Sequence, residues 1–128
     1  MCIRDRINGE IPCYKIDENE KFFAFLDINP TAQGHTLVVP KQETDYIFDL
    51  DDKTLAEMNV FAKKIALAQK KAISCIRVGL LVVGTEVPHA HIHLIPFTDE
   101  NQMSLSAPKL KLSSEEMIKI AEAIRQKL

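Results

Sequence analysis

The chain is short of several features whose absence narrows what it can be. It has no excess of either charge: 16 lysines and arginines stand against 18 aspartates and glutamates, for a net charge of −2, with the signs interspersed. Proteins that grip nucleic acid or an anionic membrane rely on a cationic patch, so neither is expected as a partner, and any anion binding must be local. Its three cysteines, Cys2, Cys13 and Cys75, are odd in number, far apart and free of any Cys-x-x-Cys pair. That argues against a disulfide framework and fits reduced thiols. No apolar run approaches the ~20 residues of a membrane span. The start of the chain also lacks the hydrophobic stretch of a signal peptide, so a soluble, cytoplasmic protein is expected. Internal repeats and low-complexity segments are missing too.

Histidine is equally scarce, four in the whole chain, yet three fall within five positions: His89, His91 and His93 in PHAHIHLIPF, residues 88–97. Successive side chains of a β-strand point to opposite faces, which sets the three imidazoles on one face and Ala90, Ile92 and Leu94 on the other. The fourth, His35, opens another strand-like run, GHTLVVPK. Such a cluster has two chemical uses. Imidazole is the commonest zinc ligand, and His35 would complete a tetrahedral set. It is also a nucleophile and acid/base near neutral pH.

Around this stretch the chain reads as one domain of 128 residues, long enough to bury about two-thirds of its unfolded surface. The segments CYKI and KFFAFLD read as two short strands joined at Asp17–Glu20, with Phe22, Phe23 and Phe25 supplying core. His35, Leu37 and Val39 alternate with Thr36 and Val38 along a third strand that Pro40 ends. Over residues 52–71, Leu55, Met58, Phe61, Ala62, Ile65 and Ala68 recur at helical spacing, with Asp51 as the candidate N-cap. Lys63, Lys64, Lys70 and Lys71 fall outside that stripe, on a solvated face. Residues 77–84, RVGLLVVG, read as a buried strand that turns through 84–88 into the histidine strand. Residues 98–112 have no regular period and read as a mobile connection. Ser113 and Glu116 then match a capping box before a helix carrying Met117, Ile120, Ala121, Ile124 and Leu128. The expected fold class is α+β: a five-stranded antiparallel sheet with one long central helix and a C-terminal helix.

The run HAHIHLI resembles the defining motif of the histidine triad (HIT) family, and NGEIPCYKI, FFAFLDINPTAQGHTLVVPK and GTEVPHAHIHLIP follow the family's order over roughly residues 7–97. The similarity points to the branch of small nucleotide hydrolases and phosphoramidases. Residues 1–6, MCIRDR, depart from its aromatic-apolar start. The resemblance implies that His91 is the nucleophile and forms a covalent nucleotidyl intermediate at the α-phosphate, later cleaved by water to a nucleoside monophosphate. It implies that His93 contacts phosphate and leaving group, that His35 and His89 orient the others, that Asp27 accepts hydrogen bonds from the ribose hydroxyls, and that Ile28 helps bind the nucleotide. Thr85 and Glu86 stand where relatives carry Gln-Ser or Gln-Thr on the leaving-group side, and Val78 stands where many carry asparagine. No cofactor or metal is expected; Cys2 has no partner cysteine at the spacing with which some relatives bind zinc. A purine nucleotide or nucleotide conjugate is the expected ligand, and a homodimer the expected assembly. The alternatives are a nucleotide-binding regulatory protein with little turnover, or a zinc-binding protein using the histidine cluster.

Overall fold

The structure, a computed structural model, describes residues 14–83 and 89–128. The calls on Cys2, Cys13, residues 1–6 and the 84–88 turn with Thr85 and Glu86 fall outside the described residues. Among the described residues five strands are present: β1 (Lys15–Glu18), β2 (Phe22–Leu26), β3 (Thr36–Pro40), β4 (Arg77–Leu81) and β5 (Ile92–Phe97). The helices are α1 (Asp52–Ala72) and α2 (Ser114–Arg125), with 3-10 turns at Ile47–Asp49 and Glu100–Met103. The strands form one sheet in the order β1-β2-β3-β5-β4, every pair antiparallel, which is the α+β architecture expected.

Strand alternation divides the side chains between two faces. Phe22, Ala24 and Leu26 of β2, Val38 of β3, and Ile92 and Leu94 of β5 join the main core with Met58, Phe61, Ala62, Ile65 and Ala68 of α1 and Met117, Ile120, Ala121 and Ile124 of α2. Each such Phe, Leu, Ile, Val or Met side chain, fully buried, is worth roughly 1.5–3 kcal/mol of transfer free energy. Phe23, Phe25 and Val39, with Leu37 half-buried beside them, form a second cluster on the opposite face. Leu37 pairs across with His93, and cross-strand partners share a face. The histidine cluster therefore lies on the sheet surface turned away from the long helix.

Several elements differ from their sequence readings. The first hairpin is shifted: β1 runs on through Asp17 and Glu18, and the turn is tightened by Asn19, whose Oδ1 accepts from the N–H groups of Lys21 and Phe22 at 2.9 and 2.8 Å. A register irregularity between Lys15 and Asp17 accompanies this. β4 is an edge strand, not a buried one; Arg77 is exposed and Leu80 is 52% exposed, because among the described residues only β5 pairs with it. The C-terminal helix begins at the predicted capping box, Glu116 N–H to Ser113 Oγ at 3.1 Å and Ser113 N–H to Glu116 Oε1 at 3.2 Å. It ends at Arg125, which leaves Leu128 exposed instead of on the apolar stripe. The segment 98–112, read as a connection without regular structure, contains the Glu100–Met103 turn, capped reciprocally by Asp99 and Gln102. Among the described residues no helix is long and apolar enough to cross a membrane.

Candidate active site

All four histidines are buried: His35 is 1% exposed, and His89, His91 and His93 are each 6% exposed. The triad does not sit on one continuous strand as the alternation suggested. Pairing begins only at Ile92, so His93 is in β5 while His89 and His91 lie in the segment leading to it, which bends at His89. That lead-in is held to the 41–50 loop by the Ala90 N–H, which donates to the Thr44 carbonyl at 2.6 Å. His35 likewise precedes β3, following Gly34, whose φ of +86° is a left-handed conformation that glycine adopts without the Cβ penalty. A Cβ there would also crowd Ile73 at 3.1 Å and Pro96 at 3.3 Å.

Hydrogen bonds fix where each imidazole carries its proton, since a neutral ring has one donor nitrogen and one acceptor. His91 Nδ1 lies 2.7 Å from the His89 carbonyl, which can only accept, so the proton is on Nδ1 and the Nε2 lone pair is free. His89 Nε2 lies 2.8 Å from the Pro40 carbonyl and is the donor there. The Thr31 N–H donates to His35 Nδ1 at 3.1 Å, so His35 carries its proton on Nε2. That Nε2–H faces His93 Nδ1 at 2.9 Å and donates to it, which leaves His93 with its proton on Nε2. His93 Nε2 is buried and has no hydrogen-bond partner among the described residues. The outcome is one ring presenting a lone pair, His91, beside another presenting an N–H, His93, with ring centroids 4.8 Å apart.

Burial keeps His35 and His93 neutral. Burial pushes the pKa of His35 down to about 4, with the positive charge of Lys109 acting in the same direction. Burial, then the neighbouring His91, pushes His93 down to about 4 as well. Asp27 stands at the edge of the pair. Its Oδ2 is 3.6 Å from His35 Nε2, and its Oδ1 accepts from the Asn29 N–H at 2.8 Å. The carboxylate is partly exposed, and the next residue, Ile28, is 40% exposed. Val78 lies in β4 opposite Pro96, at the far edge of the sheet.

Donor atoms of Asp27, His35 and His93 lie within 4.8 Å of one another and are of the types that hold a cation. The hydrogen-bond pattern does not suit one. A metal on His35 Nε2 would require the ring proton on Nδ1, where it would meet the Thr31 N–H donor to donor in a buried place. Among the described residues His89 and His91 do not join that group; His89 turns to Pro40, and His91 to a backbone carbonyl.

Three residues of the site were not visible in the sequence. Thr31 sets the tautomer of His35. Gln69, fully buried on α1, donates from Nε2 to the carbonyls of Gly34 at 2.9 Å and Leu94 at 3.1 Å and to Thr36 Oγ1 at 3.1 Å, so it ties the His35 turn to the residue after His93. Its position four residues after Ile65, on the apolar stripe, was the signal that could have found it. Gln102 accepts the Thr31 hydroxyl proton at its backbone carbonyl, at 2.7 Å.

A family model described as HIT domain matches residues 8–100. An adenosine 5'-monophosphoramidase of Schizosaccharomyces pombe is 33% identical over 128 residues, covering 95% of this chain and 93% of that protein. An adenosine 5'-monophosphoramidase of Saccharomyces cerevisiae is 39% identical over 95 residues, covering 73% of this chain and 60% of that protein. The crystal structure of a HIT-like protein from Bartonella henselae superposes with a TM-score of 0.84 at 32% identity, covering 97% of this chain and 93% of that one. A domain match over most of the length, a relative aligned nearly end to end, and a shared fold lead to one conclusion: the chain belongs to the histidine triad (HIT) family.

Proposed function

We propose that this protein is a nucleotide-binding hydrolase that cleaves nucleoside phosphoramidates, or related nucleotide conjugates, at the α-phosphate. The observation that carries the reading is the 2.7 Å bond from His91 Nδ1 to the His89 carbonyl, which leaves Nε2 of the buried imidazole free to attack. Two relatives named adenosine 5'-monophosphoramidases support the substrate class.

In the proposed first step, His91 Nε2 forms a bond to the α-phosphorus and the bond from phosphorus to the leaving nitrogen breaks. The leaving amine takes the proton of His93 Nε2–H. Charge left on His93 is offset by the His35 Nε2–H bond at its Nδ1 and by the phosphoryl-imidazolium on His91. Water then attacks phosphorus, returns a proton to His93 Nε2, and releases His91 as a neutral ring with the nucleoside monophosphate. A leaving group that must gain a proton benefits most from an N–H placed there. That favours amines over anionic groups, which depart without one. Asp27 is proposed to accept from the ribose hydroxyls, with Ile28 packing nearby and His89 holding the lead-in chain. Thr85 and Glu86 are proposed on the leaving-group side.

The exposed apolar side chains of Ile76, Leu80 and Val83 on and beside edge strand β4 support a two-fold dimer joined along that edge. Intact-mass measurement after mixing with an adenosine phosphoramidate tests the reaction: wild type should show turnover and a trappable nucleotide adduct, and His91→Ala neither, while still binding nucleotide. A His91→Ala variant that turns over near the wild-type rate would remove the proposal, and a wild type that binds without any adduct would favour the regulatory binder.

A further inference from the structure

Proton placement in the relay depends on a residue that touches no substrate. We propose that Thr31 is a positioning residue that locks the proton arrangement of the His35–His93 pair, and that the turn at Gln102 holds Thr31 in place. The proposal rests on the hydrolase reading for its kinetic consequence only.

Thr31 is 2% exposed and makes two bonds in opposite directions. Its N–H donates to His35 Nδ1 at 3.1 Å, and its hydroxyl donates to the Gln102 carbonyl at 2.7 Å, across 71 positions of sequence. Gln102 is itself immobilised. Its side-chain oxygen accepts from the Thr98 N–H at 2.7 Å, the Thr98 hydroxyl at 3.2 Å and the Asp99 N–H at 3.0 Å, which closes the 3-10 turn and aims its backbone carbonyl at Thr31. A second tie, from the Leu110 N–H to the Pro30 carbonyl at 2.8 Å, holds the later part of the same segment against the residue before Thr31.

Without the Thr31 N–H in place, nothing reserves Nδ1 of His35 as an acceptor, and the ring could carry its proton there. His35 Nε2 would then be an acceptor, and His93 would have to place its own proton on Nδ1 to keep the 2.9 Å bond. His93 Nε2 would face the substrate as a lone pair instead of an N–H. One backbone amide thus decides whether His93 can give a proton to a departing amine, and the segment after β5 decides where that amide sits.

Nitrogen-15 NMR of the imidazoles reads the protonated nitrogen of each ring directly. Wild type should show His35 and His93 both protonated on Nε2. Thr31→Val, which keeps the amide and the shape but loses the hydroxyl tether, should show both tautomers of His35, and Gln102→Ala should do the same. In each variant kcat for an adenosine phosphoramidate should fall about tenfold with KM within about twofold of wild type, since the change displaces a catalytic group and not the nucleotide. Thr31→Ser should restore the single tautomer and the rate. A Thr31→Val protein whose His35 stays wholly protonated on Nε2 overturns the proposal, as does one whose tautomers mix while kcat is unchanged in an active enzyme. A wild type with no turnover would remove the hydrolase reading and leave the spectra to decide the lock.

Discussion

Two buried histidines held neutral make stability depend on pH in a predictable direction. His35 and His93 each have a pKa near 4 in the folded protein against 6.5 for the free side chain. Between those values the unfolded chain binds protons that the folded chain does not, so stability is full above the unfolded pKa and is lost as pH falls toward the folded one. Each pH unit below the unfolded value costs about 1.4 kcal/mol per ring. Taking the pair from about pH 7.5 to about pH 5 should therefore remove about 2 kcal/mol per ring, about 4 for both. Urea unfolding followed by circular dichroism at the two pH values measures the difference. His93→Asn, which keeps an acceptor at the position of Nδ1 but cannot titrate, should lose about half of that pH dependence. Glu18, whose carboxylate is stabilised by hydrogen bonds from Lys41 and Lys15, shifts in the same sense but titrates lower, and both proteins share it. A wild-type stability that is flat or rising as pH falls through this window would refute the reasoning, and an unchanged slope in His93→Asn would place the effect elsewhere.

Gln69→Leu removes the donor that serves the buried Gly34 and Leu94 carbonyls, and should cost about 1–3 kcal/mol by denaturant titration while also slowing turnover; a loss confined to stability would make Gln69 a fold residue only. Exhaustive chelation should leave activity intact, because the Thr31 N–H disfavours a metal on His35; activity lost to chelator and restored by zinc would contradict this. Glu86→Ser should lower phosphoramidate turnover relative to that of a dinucleoside polyphosphate if the carboxylate accepts from the leaving amine, and an unchanged ratio of the two rates would take Glu86 out of the site. Light scattering at micromolar concentration should report a dimer, and Leu80→Glu on the β4 edge should shift it toward monomer; a wild-type monomer would refute the edge pairing.

The sequence alone determined the parts governed by local spacing. Apolar recurrence set the stripe of α1, Ser113 and Glu116 set the start of α2, alternation set β2 and β3, and the spacing of His89, His91 and His93 marked the chemistry. Where neighbours in sequence decide conformation, the residues suffice. The tertiary structure decided what depends on distant partners. β4 reads as buried from its composition and is an edge because, among the described residues, no strand lies beyond it. His89 left the ring cluster for the Pro40 carbonyl, 49 positions away, and His35 met His93 across 58. An imidazole looks the same in sequence whichever nitrogen holds its proton. That choice passes to the carbonyls and amides the fold brings beside it, and here a buried threonine, a polar residue on an apolar stripe and a short turn after the last strand make it.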